Sequence, residues 1–153
     1  MKIAEFLRED LTLPALAAGD KEGALAELCS ALAVAYPALD AAKLCETLLE
    51  REKLGSTGIG EGVAIPHGKL AGVPGLLAAF GRSVKGVDFQ SIDGKPSQLL
   101  FVLFAPENSA GIHLKALARI SRLFRNPAFR KSVLEANGAH AVYQLIADED
   151  AKY

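Results

Sequence analysis

The chain has 153 residues, half of them apolar, with 14 Gly, 7 Pro and 2 Cys. A chain near this length folds as one ordinary domain and buries about two-thirds of its extended surface, so its core needs no disulfide or metal. Lys and Arg number 17 against 18 Asp and Glu, a net charge of −1. With a sequence pI near 6.3, nothing draws the chain generally toward nucleic acid or an anionic membrane.

The first ten residues, MKIAEFLRED, alternate charge with apolar residues and hold no signal-like apolar stretch. Asp20 is placed to cap a helix carrying Leu25, Leu28, Cys29 and Leu32 at helical spacing until Pro37. Asp40 opens a second helix, with Leu44, Leu48 and Leu49 on one face, ending near Leu54 and Gly55. Cys29 and Cys45 fall in these two segments without a CxxC spacing, and read as small buried hydrophobes of a reducing, cytoplasmic compartment. The stretch GSTGIGEG, residues 55–62, carries four glycines and is expected as loop or irregular strand. Val63 to Ile65 reads as a short strand stopped by Pro66, Leu76 to Val84 as another, and Gly94-Lys95-Pro96 as a turn.

Leu99 to Phe104 is apolar without alternation, the mark of a strand covered on both faces. The longest apolar run, Leu99 to Pro106, is far shorter than the roughly 20 residues that span a bilayer, so no membrane insertion is expected. Ser109 is positioned to cap a helix from about Ala110 to Arg125, closed by Asn126 and Pro127. Further helices are expected around Phe129 to Ala136 and Ala139 to Ala147. No repeat, low-complexity tract or linker divides the chain, so residues 1–153 are expected to form a single α/β domain, a mixed β-sheet sandwiched by helices.

The densest chemical signal is GSTGIGEGVAIPHGK, residues 55–69. A Walker loop requires Gly five residues before Gly68 and Ser or Thr after Lys69, and the chain has Val63 and Leu70 there. GxGxxG fails as well, because Val63 stands where the third glycine belongs. What remains is a histidine presented by a strand. Pro66 fixes its own φ and lacks an N–H, Gly68 permits a tight turn, and His67 lies between them. Such an imidazole is expected in a loop at the carboxyl end of the Val63 strand, where ligands of α/β sheets gather, and is fitted to act as a nucleophile beside glycine N–H groups.

His113, Leu117, Ile120 and Phe124 recur on one helical face. That face is expected to meet the sheet, with His113 in the first turn, where a helix favours anions. Lys115, Arg119 and Arg122 fall opposite and read as the solvated side, while His140 reads as structural. The three histidines lie 46 and 27 residues apart, with no HxxxH or HExxH, so neither a metal site nor another cofactor is expected. A serine hydrolase is disfavoured because no GxSxG elbow is present.

Leu48 to Lys69, LLEREKLGSTGIGEGVAIPHGK, closely resembles the active-site region of enzyme IIA proteins of the bacterial phosphotransferase system, fructose/mannitol type. The likeness continues through Phe89 to Pro96, the strand Leu99 to Phe104, and His113-Leu114, covering essentially the whole chain. STGIG followed by IPHGK is most similar to the nitrogen-related regulatory branch. The resemblance implies that His67 is the phosphorylated histidine, His113 the second active-site histidine and Arg51 the nearby arginine. It likewise implies that Ser56 and Thr57 are the small hydroxyl residues of the adjoining loop, and that the fold is an α/β sandwich with a mixed sheet.

A neutral imidazole keeps a free lone pair at neutral pH, and transfer from one histidine to another demands mainly positioning and charge stabilisation. By resemblance, the expected function is a cytoplasmic regulatory phosphocarrier. Its donor is a histidine-containing phosphocarrier protein, and its output is phosphorylation-dependent binding of regulatory target proteins around Ile59, Val63 and Leu70. The alternatives are a IIA component of a fructose- or mannitol-type permease, serving a IIB domain, and a non-catalytic adaptor whose His67 is vestigial.

Overall fold

The structure is a computed structural model describing residues 1–153. Its centre is the apolar run, which forms strand β6 (Ser97–Pro106) with eight of its ten residues buried, seven of them consecutive from Leu99 to Ala105. Successive side chains of a strand point to opposite faces, and here the alternation divides the core in two. Leu99, Phe101 and Leu103 join one cluster of 18 buried residues, whereas Leu100, Val102 and Phe104 join a second cluster of 18. The lack of polar alternation is therefore the signature of double coverage.

Two helices cover the second face, α1 (Lys21–Ala35) and α2 (Ala41–Glu52). The predicted stripe of Leu25, Leu28, Cys29 and Leu32 is fully buried there. The other face is covered by α3 (Ala110–Arg125), α4 (Pro127–Glu135) and α5 (Gly138–Asp150). Asp20 accepts from the Gly23 N–H and Asp40 from the Ala42 N–H, caps worth about 1 kcal/mol each. Ser109 does not cap α3; its hydroxyl donates instead to the Pro106 carbonyl, 2.7 Å away, which tightens the turn leaving β6. Cys29 is buried, but Cys45 is only half-buried, and burial pushes the Cys29 thiol up to about 12.

The remaining strands are β1 (Thr12–Leu13), β2 (Gly58–Gly60), β3 (Val63–Ala64), β4 (His67–Leu70) and β5 (Leu77–Val87). The order is β1-β5-β6-β3-β2, with β4 also on β6. β5 runs antiparallel to β6, whereas β3 and β4 both run parallel to it, one after the other along the same edge. Pro66 separates them. It has no N–H for the ladder, yet its carbonyl accepts from the Leu103 N–H at 2.9 Å. His67 consequently does not emerge in a loop beyond the sheet, as the sequence suggested, but opens a second short strand in register with Leu103.

One buried cation ties distant segments together. Arg82, on β5, is 8% exposed, and its guanidinium donates to the carbonyls of Pro14, Val133 and Ala136 at 2.9, 2.8 and 2.6 Å.

Candidate active site

Strand register sets the direction of His67. Its partner Leu103 faces the cluster under α3, so His67 is turned toward that helix, and His113 on α3's buried face meets it. The two rings stand 5.4 Å apart between centroids at an interplanar angle of 74°. Sequence positions 46 residues apart are thereby brought into one edge-to-face pair. On the other side of β4, a Cβ at Gly68 would lie 2.8 Å from Thr47 Cγ2 of α2. Only glycine lets the strand sit this close to that helix.

The His67 Nδ1 lies 2.7 Å from the Ile65 carbonyl oxygen. A carbonyl can only accept, so Nδ1 carries the proton and Nε2 keeps the lone pair. Burial pushes the His67 pKa below its ordinary 6.5 and nearby Arg51 adds to the decrease, while the Ile65 bond and Glu52 oppose it. His113 is 7% exposed, and its Nε2 is buried with no hydrogen-bond partner. Its pKa is likewise lowered, by burial first and then by His67 and Lys69. Both rings are thus held neutral near pH 7. An unpartnered buried nitrogen costs about 1–3 kcal/mol, so His113 Nε2 is a polar group left unsatisfied by the chain.

The loop beside the histidines is held from α2. Arg51, in the last turn, donates through Nη1 to the Gly55 carbonyl at 2.9 Å. Glu52 is buried and accepts from the Thr57 N–H at 3.1 Å and from the Thr57 hydroxyl. The same carboxylate pairs with Lys21 at 2.9 Å, and the Lys21 ammonium lies 4.8 Å from the Phe89 ring centre. Ser56 donates to the Phe89 carbonyl at 2.8 Å and accepts from the Gly58 N–H. Both loop hydroxyls therefore engage the chain itself. At Gly58 a Cβ would fall 2.2 Å from Ser91 Oγ, so this loop packs too closely for any side chain.

Sequence reasoning brought His67, His113 and Arg51 into view but missed Glu52 and Lys69. Glu52 continues the buried Leu44 and Leu48 stripe by one more step of four, a charge at an apolar position and hence a readable signal. Lys69 is two residues from His67 on the same strand, and so shares its face. Of the apolar rim residues expected from sequence, Val63 and Leu70 are core, and only Ile59 is exposed. The chain neighbours of Arg51 and His113 supply others: Leu54, Ile112 and Leu114 are 84%, 49% and 67% exposed. Arg119 is not simply solvated, since it pairs with buried Asp150, and His140 meets Glu9 at the surface. No group of three or more His, Cys, Asp or Glu is arranged to hold a metal ion, and no helix is long and apolar enough to cross a membrane.

An α/β sandwich presenting two juxtaposed neutral histidines beside an arginine has the form of a phosphohistidine domain. The chain belongs to the family described as phosphoenolpyruvate-dependent sugar phosphotransferase system, EIIA 2, whose model matches residues 5–149. Members of this family carry a phosphoryl group on histidine. The chain is 42% identical over 147 residues to a nitrogen regulatory protein of Bradyrhizobium diazoefficiens, covering 96% of this chain and 95% of that one. It is 40% identical over 150 residues to the fructose-specific EIIABC component of Bacillus subtilis, covering 98% of this chain but only 24% of that longer protein. The structure of the nitrogen regulatory protein IIA-Ntr from Neisseria meningitidis superimposes with a TM-score of 0.87 at 37% identity, over 94% of this chain and 98% of that one.

Proposed function

We propose that residues 1–153 act as a single cytoplasmic domain of the nitrogen-related phosphotransferase branch, accepting a phosphoryl group on His67 from a histidine-containing phosphocarrier protein. The observation that carries this reading is the hydrogen bond from His67 Nδ1 to the Ile65 carbonyl. It leaves Nε2 as the nucleophile, next to a second histidine whose own Nε2 has no partner. In the transfer, the His67 Nε2 lone pair forms the new N–P bond as the N–P bond to the donor histidine breaks. The departing imidazole takes the bonding pair. Nδ1–H stays on its carbonyl throughout, so no proton need move. Because donor and acceptor are alike, positioning and charge stabilisation set the rate. Arg51 and Lys69 supply the charge complement for the phosphoryl oxygens, and the neutral His113 ring a hydrogen-bond donor. Ser56 and Thr57 contribute by fixing the loop and its N–H groups.

The output in this reading is regulatory. A phosphoryl group adds roughly −1.5 to −2 charges near neutral pH, by analogy with other phosphorylated side chains. Leu54, Ile112 and Leu114 give the neighbouring surface an apolar character, so target proteins docking there would sense the new charge as a desolvation cost. The likeness to the Bacillus subtilis fructose component favours a second reading, a permease component passing phosphate to a IIB domain. Intact-protein mass spectrometry after donor treatment tests the first step. One acid-labile, alkali-stable phosphoryl adduct is expected on the wild type and none on His67→Ala; persistent labelling of the variant overturns the site. Rapid sugar-dependent loss of the adduct on adding IIB-containing membranes, with identical partner sets for His67→Ala and His67→Glu, selects the permease reading.

A further inference from the structure

We propose that the outer face of α3 is a docking surface for an acidic segment of a partner protein, separate from the surface around His67. α3 contains Lys115, Arg119, Arg122 and Arg125, four of the chain's 17 Lys and Arg, and none of its 18 Asp and Glu. A merely solvated helix usually mixes signs, as α2 does with Lys43, Glu46, Glu50, Arg51 and Glu52, because like charges three or four residues apart repel. Lys115, Arg119 and Arg122 stand at that spacing, with Arg125 three residues further on. α3 bears this repulsion without an acid of its own.

The rest of the chain relieves little of it. Arg119 is neutralised by Asp150. Arg122 lies 4.5 Å from the Tyr153 ring centre, a contact that orients the guanidinium but leaves its charge. Lys115 and Arg125 are exposed and enter none of the chain's ion pairs. With Met1 and the small Ala118, these side chains line a groove of about 490 Å³. Three free cations therefore surround a concave strip in a chain whose net charge is −1.

Charge complementarity selects the occupant. Two of the three free cations are arginines, whose planar forks pair with carboxylates two bonds at a time. The stripe from Lys115 to Arg125 spans about 15 Å at the helical rise, the reach of a short peptide segment. In the groove itself stand the apolar Ala118 and Met1, the latter 46% exposed, which an acidic protein segment with apolar side chains would cover and a sugar–phosphate backbone would not. The surface is distinct from the histidine pair. At about 100° per residue, Lys115, Arg119 and Arg122 lie roughly 180–240° around α3 from His113, which faces the core.

The test uses a fluorescein-labelled Asp/Glu-rich peptide with interspersed leucines, and a short duplex DNA as a second polyanion, each titrated against the full chain. The comparison variant is Lys115→Glu/Arg122→Glu/Arg125→Glu, checked for an unchanged unfolding midpoint, with the corresponding triple Gln variant as a milder replacement. Expected are amide shifts along the outer face of α3 and about tenfold weaker peptide binding by the Glu variant, with gain of binding to a Lys-rich peptide. Binding should weaken with salt, since exposed pairs are screened. His67→Ala should bind the peptide as the wild type does, and the Glu variant should be phosphorylated at the wild-type rate. Equal peptide affinity of wild type and Glu variant, or shifts elsewhere, overturns the surface. Tighter binding of the duplex overturns the protein occupant, and slowed phosphorylation of the Glu variant overturns its separateness from the His67 region.

Discussion

The two walls of the candidate site are built on opposite principles. On the α2 side, Glu52 binds Thr57 twice and Lys21 once, and Arg51 holds Gly55; the hydrogen bonds there close within the chain. On the α3 side, His113 presents a buried nitrogen that nothing satisfies. A satisfied wall fixes geometry before any ligand arrives, and an unsatisfied one holds interaction free energy in reserve for the ligand that completes it. Substitutions on the first wall should therefore show up as stability. On the second they should show up as rate.

The largest effect is expected at the junction of the two walls: His67→Ala should abolish phosphoryl uptake while leaving the fold intact, as read by mass spectrometry and circular dichroism. Next comes Glu52→Ala, which strands the Lys21 ammonium and two Thr57 donors. Breaking a buried pair from one side costs about 3–5 kcal/mol, so urea unfolding should lose roughly 3 kcal/mol. A loss below 1 kcal/mol would show that the α2 wall is not the scaffold. His113→Leu should behave in the opposite way. Removing one preorganised donor slows transfer about a hundredfold to a thousandfold, while deleting an unpartnered buried nitrogen leaves stability unchanged or raised by about 1 kcal/mol. A destabilised variant with unaltered transfer would make His113 a packing residue.

The smallest expected effect is on pH dependence. Both histidine pKa values are lowered in the fold, so below pH 6.5 the unfolded chain takes up protons that the folded chain refuses. The stability from each neutral ring is fully present above 6.5 and is lost as pH falls through the lowered folded value. Unfolding midpoints should hold steady above pH 6.5 and decline in acid, and His113→Leu should flatten part of that decline. An unchanged slope would show that burial does not hold this ring neutral.

Much of the architecture was legible because its elements carry strong periodic signals. The α3 boundaries, Ala110 and Arg125, match the expectation, and the unalternating Leu99–Phe104 run became the doubly covered central strand. β1 was not legible. Thr12–Leu13 has only two residues, and its strand character comes from pairing with Phe80 and Gly81. β4 escaped for the same reason: His-Gly-Lys-Leu has no strand pattern of its own and is extended because β6 offers it a free edge. Within the site, residue type and spacing pointed to His67 and His113, and the family resemblance added Arg51. Glu52 was hidden by its neighbours, Glu50, Arg51 and Lys53, which make the helix end look uniformly solvated. Lys69 was hidden because its place beside His67 depends on a strand that the sequence did not announce.

Arg82 has a consequence for how the molecule opens. Its buried guanidinium is surrounded by carbonyls from the segment after β1 and from the end of α4, with no carboxylate among those partners. If either segment frayed alone, the cation would lose acceptors while still enclosed, a penalty comparable to that for an unmatched buried charge. The two segments should therefore open in concert with β5. In native-state hydrogen exchange, the amides at the end of α4 should share the protection of the central sheet, although α4 has only nine residues and lies far from β5 in sequence.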